Sequence, residues 1–442
     1  MAVLLPAQSQ ERLVRAIGRW GLTALTVNCI IGSGIFSLPS AVSALLGPLS
    51  PWAYLVAAAG VGVIMACFAE AGSQFAEAGG PYLYAREAFG RFAGIQVGWL
   101  VWLTRFASAG ANANVFVQYL AQLLPAAGAP LARAAVLTLL MGGLALVNIL
   151  GVKAGTRVSS CLAAAKLVPL AFFIVLGLTL THGALAAPLS AAFAPGAPGW
   201  GDWLSAILLL VFAFGGFEAA LLPMAEARDT RRDVPFALFT SLAVCAVFYT
   251  LIQVVVLRAL GGAVRGDAPL AQTAQLLLGP AATAFISVGA LLSVYGNLSS
   301  SILIAPRLTF ALAERGDFPP FFSFISARFR TPYVSIVVFA VASLTLALFG
   351  SFRWNAVLSA VARLITYGFV CAAVPVLRRK RPQADAFRLP VAPLWSGVAI
   401  VFIVAAAGRM GRGDLIAVTA TMVVALANWL WVRRRDRVRS AV

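Results

Sequence analysis

Histidine is almost missing from this 442-residue chain, which has one, and acids are scarce, 15 Asp and Glu against 33 Lys and Arg. Enzyme sites need converging acids, bases or metal ligands, and a lone His182 with scattered carboxylates supplies little of that. No enzymatic activity, cofactor or metal is therefore expected. Charged residues make up only 11%, against roughly 25% in a soluble domain. The five cysteines, Cys29, Cys67, Cys161, Cys245 and Cys371, sit in apolar stretches without metal-ligand spacing and read as small packing residues. The sequence has no GxxxxGK[ST] loop, so direct use of ATP is not supported. Nor does it contain a polar segment long enough for a soluble domain; its Pro- and Gly-rich stretches read as connections.

What fills the chain instead is apolar: 61% hydrophobic residues and a mean hydropathy of +0.92. About 20 apolar residues cross about 30 Å of hydrocarbon as a helix. Twelve such windows can be placed, at 22–44, 51–73, 92–124, 131–150, 157–180, 201–225, 237–260, 280–312, 332–350, 354–377, 391–409 and 413–432. The expected fold class is an all-α polytopic membrane protein with twelve transmembrane helices. The windows at 92–124 and 280–312 exceed one crossing and should tilt or project. The segment before the first window is polar and basic, and that window is too long for a signal-peptide core, so the first span is expected to stay in the protein.

A net charge of +18 would suggest nucleic acid in a soluble protein. Here its placement argues otherwise. With both termini inside, the translocated loops hold six basic residues, Arg133, Arg258, Arg265, Arg353, Arg409 and Arg412, three more lie within spans, and the other 24 of 33 fall on the cytoplasmic side. These include Arg12, Arg15, Arg19, the loop "EARDTRRDVP", the run "LRRKRP" and the tail "RRRDRVR". That is the positive-inside pattern, and it places residues 1–21 and 433–442 in the cytoplasm of a bacterial-type inner (plasma) membrane. The expected partners are the lipid bilayer and a small molecule, not nucleic acid.

Two spans are interrupted near their middles, where unpaired peptide groups are costly. The first carries "IIGSGIF" at 30–36, with Gly32, Ser33 and Gly34; the sixth carries "VFAFGGFE", with Gly215 and Gly216. Each break opens a five-span unit, 22–180 and 201–377, and because five is odd the second unit is inverted relative to the first. Residues 391–432 then form two appended spans. An unwound segment frees N–H groups at the start of one half-helix and carbonyls at the end of the other, with the helix dipoles adding matching partial charge. The N–H groups of Gly32, Ser33 and Gly34, with the Ser33 hydroxyl, are expected to hold a carboxylate, and the carbonyls near Ile30, Phe212 and Gly215 an ammonium. Phe212 or Phe214 is expected to close over the bound molecule, the remaining aromatics of that stretch packing elsewhere.

Charges within spans are costly unless paired or hydrated. Arg105, Lys166, Glu218 and Arg363 are the candidates, with Glu70 and Glu226 nearer span ends. Burial penalises the ammonium of Lys166, so its proton is a candidate coupling proton. Glu218 is either a proton carrier or a structural partner. Arg363 has no acidic neighbour at helical spacing, and Glu218 across helices is a candidate that sequence alone does not decide.

Five ordered stretches carry a resemblance: "IIGSGIFSLP", "EAGGPYLYAREAFG", "EARDTRRDVPFAL", "APRLTFALAERGDFPPFF" and "LRRKRP…FRLP". Together they resemble the amino acid–polyamine–organocation (APC) superfamily over nearly the whole chain. The resemblance implies a five-plus-five inverted repeat with helices 1 and 6 broken. It implies carboxylate binding at Gly32, Ser33 and Gly34 and a gating aromatic at Phe212. Lys166 resembles the fifth-span lysine that, in several sodium-independent members, stands where relatives bind sodium, with Ser299 and Ser300 facing the same place. Arginine–agmatine antiporters of the superfamily have tryptophan where this chain has Ser301, and they lack the lysine. Both departures argue against a large cationic substrate; Arg105 and Arg363 add positive charge near the core, which weakens the cationic case further and leaves an acidic substrate open.

The expected function is secondary active transport of an L-amino acid, taken as neutral, without sodium, by proton symport or exchange. An antiporter of acidic or basic amino acids or polyamines is the alternative within the class, and a non-transporting amino acid sensor the alternative outside it.

Overall fold

The computed structural model describes residues 18–75, 79–151, 156–183, 186–221, 228–261, 266–382 and 386–440, with backbone alone at 156–165 and 438–440. Arg12, Arg15, Glu226, Arg265 and the side chain of Cys161 lie outside the described residues.

Among the described residues the chain is helical, without strands. In order the α-helices are α1 (Arg19–Ile30), α2 (Gly34–Leu46), α3 (Ser50–Ser73), α4 (Gly80–Phe89), α5 (Arg91–Leu123), α6 (Pro130–Ile149), α7 (Thr156–Leu180), α8 (Trp200–Phe214), α9 (Phe217–Ala220), α10 (Thr230–Leu260), α11 (Pro269–Leu278), α12 (Pro280–Glu314), α13 (Tyr333–Phe349), α14 (Phe352–Lys380), α15 (Ala392–Ala407) and α16 (Arg412–Ser440). Local chemistry sets several starts. Proline, whose missing N–H costs nothing in a first turn, opens α6, α11 and α12. The Asp229 carboxylate accepts from Arg231 N and Arg232 N at the start of α10, and the Ser351 hydroxyl accepts from Trp354 N at the start of α14.

Lipid is the solvent that makes sense of the surface. Leu139, Val175 and Val401 are 75%, 65% and 70% exposed, a cost in water and none in hydrocarbon. Seven helical runs among the described residues are long and apolar enough to cross a bilayer, the first of them Gly34–Ser73; Lys166–Leu180, α13 and α15 are shorter apolar helices. The chain is a multi-pass membrane protein. α5 is not among the seven, because its middle carries Arg105, Ser108, Asn112 and Asn114. At 33 and 35 residues, α5 and α12 are the long helices that the wide windows led one to expect.

α5 runs through the bundle against α14, α12, α4 and α13, while α1 lies on α10 and α7 and α2 on α8. At one end of the bundle, two buried carboxylates gather basic side chains. Asp317, fully buried, accepts from Tyr82 and Arg91 and pairs with Arg86 at 3.4 Å. Its backbone carbonyl takes Asn428 Nδ2 of α16 at 2.7 Å, and Arg91 also reaches Asp436. Glu70, equally buried, receives Arg378 on both oxygens and the N–H of Leu389 at 2.9 Å. Each charge there has several partners, which is what makes its burial tolerable.

Candidate functional site

α1 stops at Ile30 and α2 starts at Gly34; α8 stops at Phe214 and α9 starts at Phe217. The two interruptions cross each other. Gly216 has φ +109°, and a Cβ there would overlap the Cys29 carbonyl oxygen, so glycine is required both for the conformation and for the approach. Gly215 faces the Arg363 guanidinium, which a Cβ would overlap. Gly34 packs on α8, with an added Cβ only 2.9 Å from Ala213 Cα, so a side chain there would strain helix packing before it met a ligand. Gly32 faces two asparagines: its Cβ would lie 3.2 Å from Asn297 Nδ2 and 3.4 Å from Asn112 Oδ1. Tyr249 ties the breaks together, its single hydroxyl proton shared between Ile30 O and Ala213 O, both at 3.3 Å.

Between the breaks and the middles of α5 and α12 lies a cavity of about 50 Å³, room for a few water molecules. Its lining includes Ile30, Gly32, Ser33, Gly34, Phe212, Gly215, Gly216, Ser300 and Ser301, all expected from the sequence. The opposite wall comes from two helix faces. Arg105, Ser108 and Asn112 recur at helical spacing on α5, and Asn297, Ser300, Ser301 and Ile304 on α12. Charges and glycines alone do not point to Asn112 and Asn297; the signal in the sequence is polar residues at i, i+3 and i+7 on α5 (Arg105, Ser108, Asn112) and at i, i+3 and i+4 on α12 (Asn297, Ser300, Ser301), each within an apolar window.

The Ser33 N–H donates to Asn112 Oδ1 at 3.1 Å, while the Ser33 hydroxyl, in a residue 1% exposed, has no partner. The carbonyls expected to take an ammonium are partly spent: Ile30 O on Tyr249, and Phe212 O on Gly215 N at 3.3 Å and Arg363 Nη1 at 3.5 Å. Phe214 does not reach the cavity. Two positions on from Phe212 the helix has turned through about 200°, and the ring packs on Tyr249, with centroids 5.2 Å apart. Phe217 likewise packs on Phe68 and Tyr367.

Phe212 meets Phe352 edge to face, centroids 6.0 Å apart. Phe352 lines a second cavity of about 530 Å³ that includes Gln118 and Gln122, toward the end of α5 away from Arg91. This aromatic pair thus stands between the small cavity at the breaks and the second, larger one. Phe212→Ala is expected to reduce transport strongly and Phe212→Trp mildly, measured as initial uptake rates by reconstituted protein. Equal, small effects of both would assign the ring to packing alone.

Lys166, 2% exposed, donates to Asn28 O at 3.3 Å and Ile31 O at 3.2 Å, at the unwinding end of α1. No hydrogen bond joins it to Ser299 among the described residues, and Ser300 spends its hydroxyl on Gly296 O at 2.9 Å. Glu218, 3% exposed, accepts from Arg363 Nε at 3.2 Å, Tyr367 Oη at 2.9 Å and Gly216 N at 2.9 Å, with Arg105 Nη2 at 3.5 Å. Arg363 therefore does find its acidic partner across helices.

Several bacterial relatives match this chain along most of their own length. A methylthioribose transporter of Bacillus subtilis is 27% identical over 88% of this chain and 87% of its own. A serine/threonine exchanger of the same organism is 28% identical over 88% and 89%, and its branched-chain amino acid permease 25% identical over 98% and 96%. Residues 17–429 match the amino acid permease family, and with broken helices meeting at a polar cavity inside an apolar bundle, the chain belongs to that family of the APC superfamily, whose members are transporters rather than enzymes.

Proposed function

We propose that this protein carries an L-amino acid across the plasma membrane by alternating access, as a secondary transporter that does not use sodium. Twelve crossings would be made by α1 with α2, α3, α5, α6, α7, α8 with α9, α10, α12, α13, α14, α15 and α16, residues 22–180 and 201–377 forming inverted halves, with both termini cytoplasmic. The substrate carboxylate would lie at the N-terminus of α2, on the free N–H groups of Gly32 and Gly34 and on the Ser33 hydroxyl. The observation that carries this reading is that hydroxyl: a buried donor and acceptor in the cavity, left without a partner beside a helix start. A buried polar group of this kind costs free energy until a ligand pairs with it. Exchange and permease activities for amino acids among the relatives support the same class.

Lys166 would take the place of a sodium ion, its ammonium satisfying the carbonyls at the end of α1. Glu218 has every approach occupied by a donor, which favours a structural anion over a proton carrier. The test is uptake of each of the twenty L-amino acids by proteoliposomes, with and without internal substrate and without sodium. At least one should accumulate or exchange. A folded, reconstituted protein that moves none of them would end the reading.

A further inference from the structure

The cavity wall carries a charge that the backbone of an amino acid does not answer. Its lining has two cations, Arg105 and Arg363, and no Asp or Glu among the described residues. The carboxylate behind it, Glu218, is one against two. Arg363 is committed: its Nε lies 3.2 Å from Glu218 Oε1, its Nη1 is turned to Phe212 O, and its side chain is 3% exposed. Arg105 comes to the same Oε1 from further away, 3.5 Å, and is the more open of the two at 13%. Glu218 also holds Tyr367 and Gly216 N, so its oxygens are crowded before Arg105 arrives.

A guanidinium has five donors in a planar fork, and one long contact leaves most of that fork to the cavity. The cluster of Arg105, Arg363 and Glu218 sums to one positive charge in a medium where unbalanced charge is expensive. A zwitterion with a neutral side chain leaves that charge standing, and a cationic substrate adds to it. An acidic amino acid cancels it.

We propose that Arg105 is a specificity-determining residue that pairs with the side-chain carboxylate of an acidic amino acid, so that the substrate class is anionic rather than the neutral one expected from sequence. The inference rests on the amino acid reading above, which places the α-carboxylate at residues 32–34, and adds a second carboxylate on the α5 side of the cavity. An Arg–carboxylate fork discriminates against the amide isostere because the amide offers one acceptor and presents its own donors to the cation.

The experiment compares radiolabelled L-glutamate with L-glutamine, and L-aspartate with L-asparagine, in counterflow by wild-type proteoliposomes, and repeats the comparison as substrate-induced thermal shift of purified protein, which needs no complete cycle. The wild type should prefer the acid by about tenfold or more. Arg105→Gln should lower the acid-to-amide ratio by about tenfold or more, and Arg105→Lys should restore part of it. A purely structural Arg105 would change both substrates together and leave the ratio alone. A wild-type preference for the amides, or a ratio that survives Arg105→Gln, overturns the proposal while leaving amino acid transport in place. If the glutamine variant does not fold, the wild-type ratio decides, and a value near one overturns the proposal. No response to any of the twenty amino acids would overturn both readings.

Discussion

Glu218→Ala is expected to destabilise the protein by about 3–5 kcal/mol, the cost of stripping a buried ion pair of one partner. The substitution leaves two guanidiniums, on α5 and α14, facing each other in the wall of the small cavity at the breaks without a carboxylate, and frees the Gly216 N–H and the Tyr367 hydroxyl as well. Glu218→Gln should cost less, since an amide oxygen still accepts one of those donors. Pairing Glu218→Ala with Arg363→Gln should recover part of the loss, because one of the orphaned cations goes with it. Apparent melting temperature in detergent, with the fraction of protein remaining monodisperse after heating, reads the series. An alanine variant as stable as wild type would mean that the contacts to Arg363 and Tyr367 are not what holds α9 against α14.

The second large effect belongs to Lys166. Its ammonium spans from α7 to two carbonyls at the end of α1, so it ties a helix outside the breaks to the break itself. Lys166→Ala removes that tie and leaves the Asn28 and Ile31 carbonyls without the cation. Concentrative uptake should fall by about 5- to 150-fold, the range that a coupling free energy of 1–3 kcal/mol covers. Loss of the proton from Lys166 would loosen the same tie reversibly and bias one access state over the other. Wild-type uptake without sodium should then respond to an imposed pH gradient. If the gradient does nothing while exchange persists, the lysine is a fixed cation and no proton is carried. A strict sodium requirement would exclude both roles.

Sequence patterning reached the breaks because they are written in glycine. Gly32, Gly34, Gly215 and Gly216 stand where apolar side chains would otherwise continue, and each meets a neighbour that a Cβ would crowd. The long helices were legible from their windows. The charged partners were legible only as a list: Arg105, Arg363 and Glu218 are far apart in the chain, and what joins them is the crossing of α5, α9 and α14, which no local pattern encodes. Phe214 shows the opposite failure. It looked as good a gating ring as Phe212 in "VFAFGG", and only the turn of the helix separates the ring at the cavity from the ring on Tyr249. Asn112 and Asn297 were overlooked because an uncharged polar residue in a span is ordinarily unremarked. Phe352 begins its helix beside a serine cap and gives no sign in sequence that it will meet Phe212.

Asp317 fastens the two helices that supply the polar wall. It follows α12 and is held by Arg91, the first residue of α5, with Asn428 bracing its carbonyl from α16. From that pin to Arg105 along α5, and to Ser301 along α12, the chain runs about 20 Å at 1.5 Å per residue. The wall is thus built like a pair of levers sharing a fulcrum: if the two helices turned as one about Asp317, a rotation of about 5° would carry Arg105 and Ser301 together through about 2 Å at the helix rise.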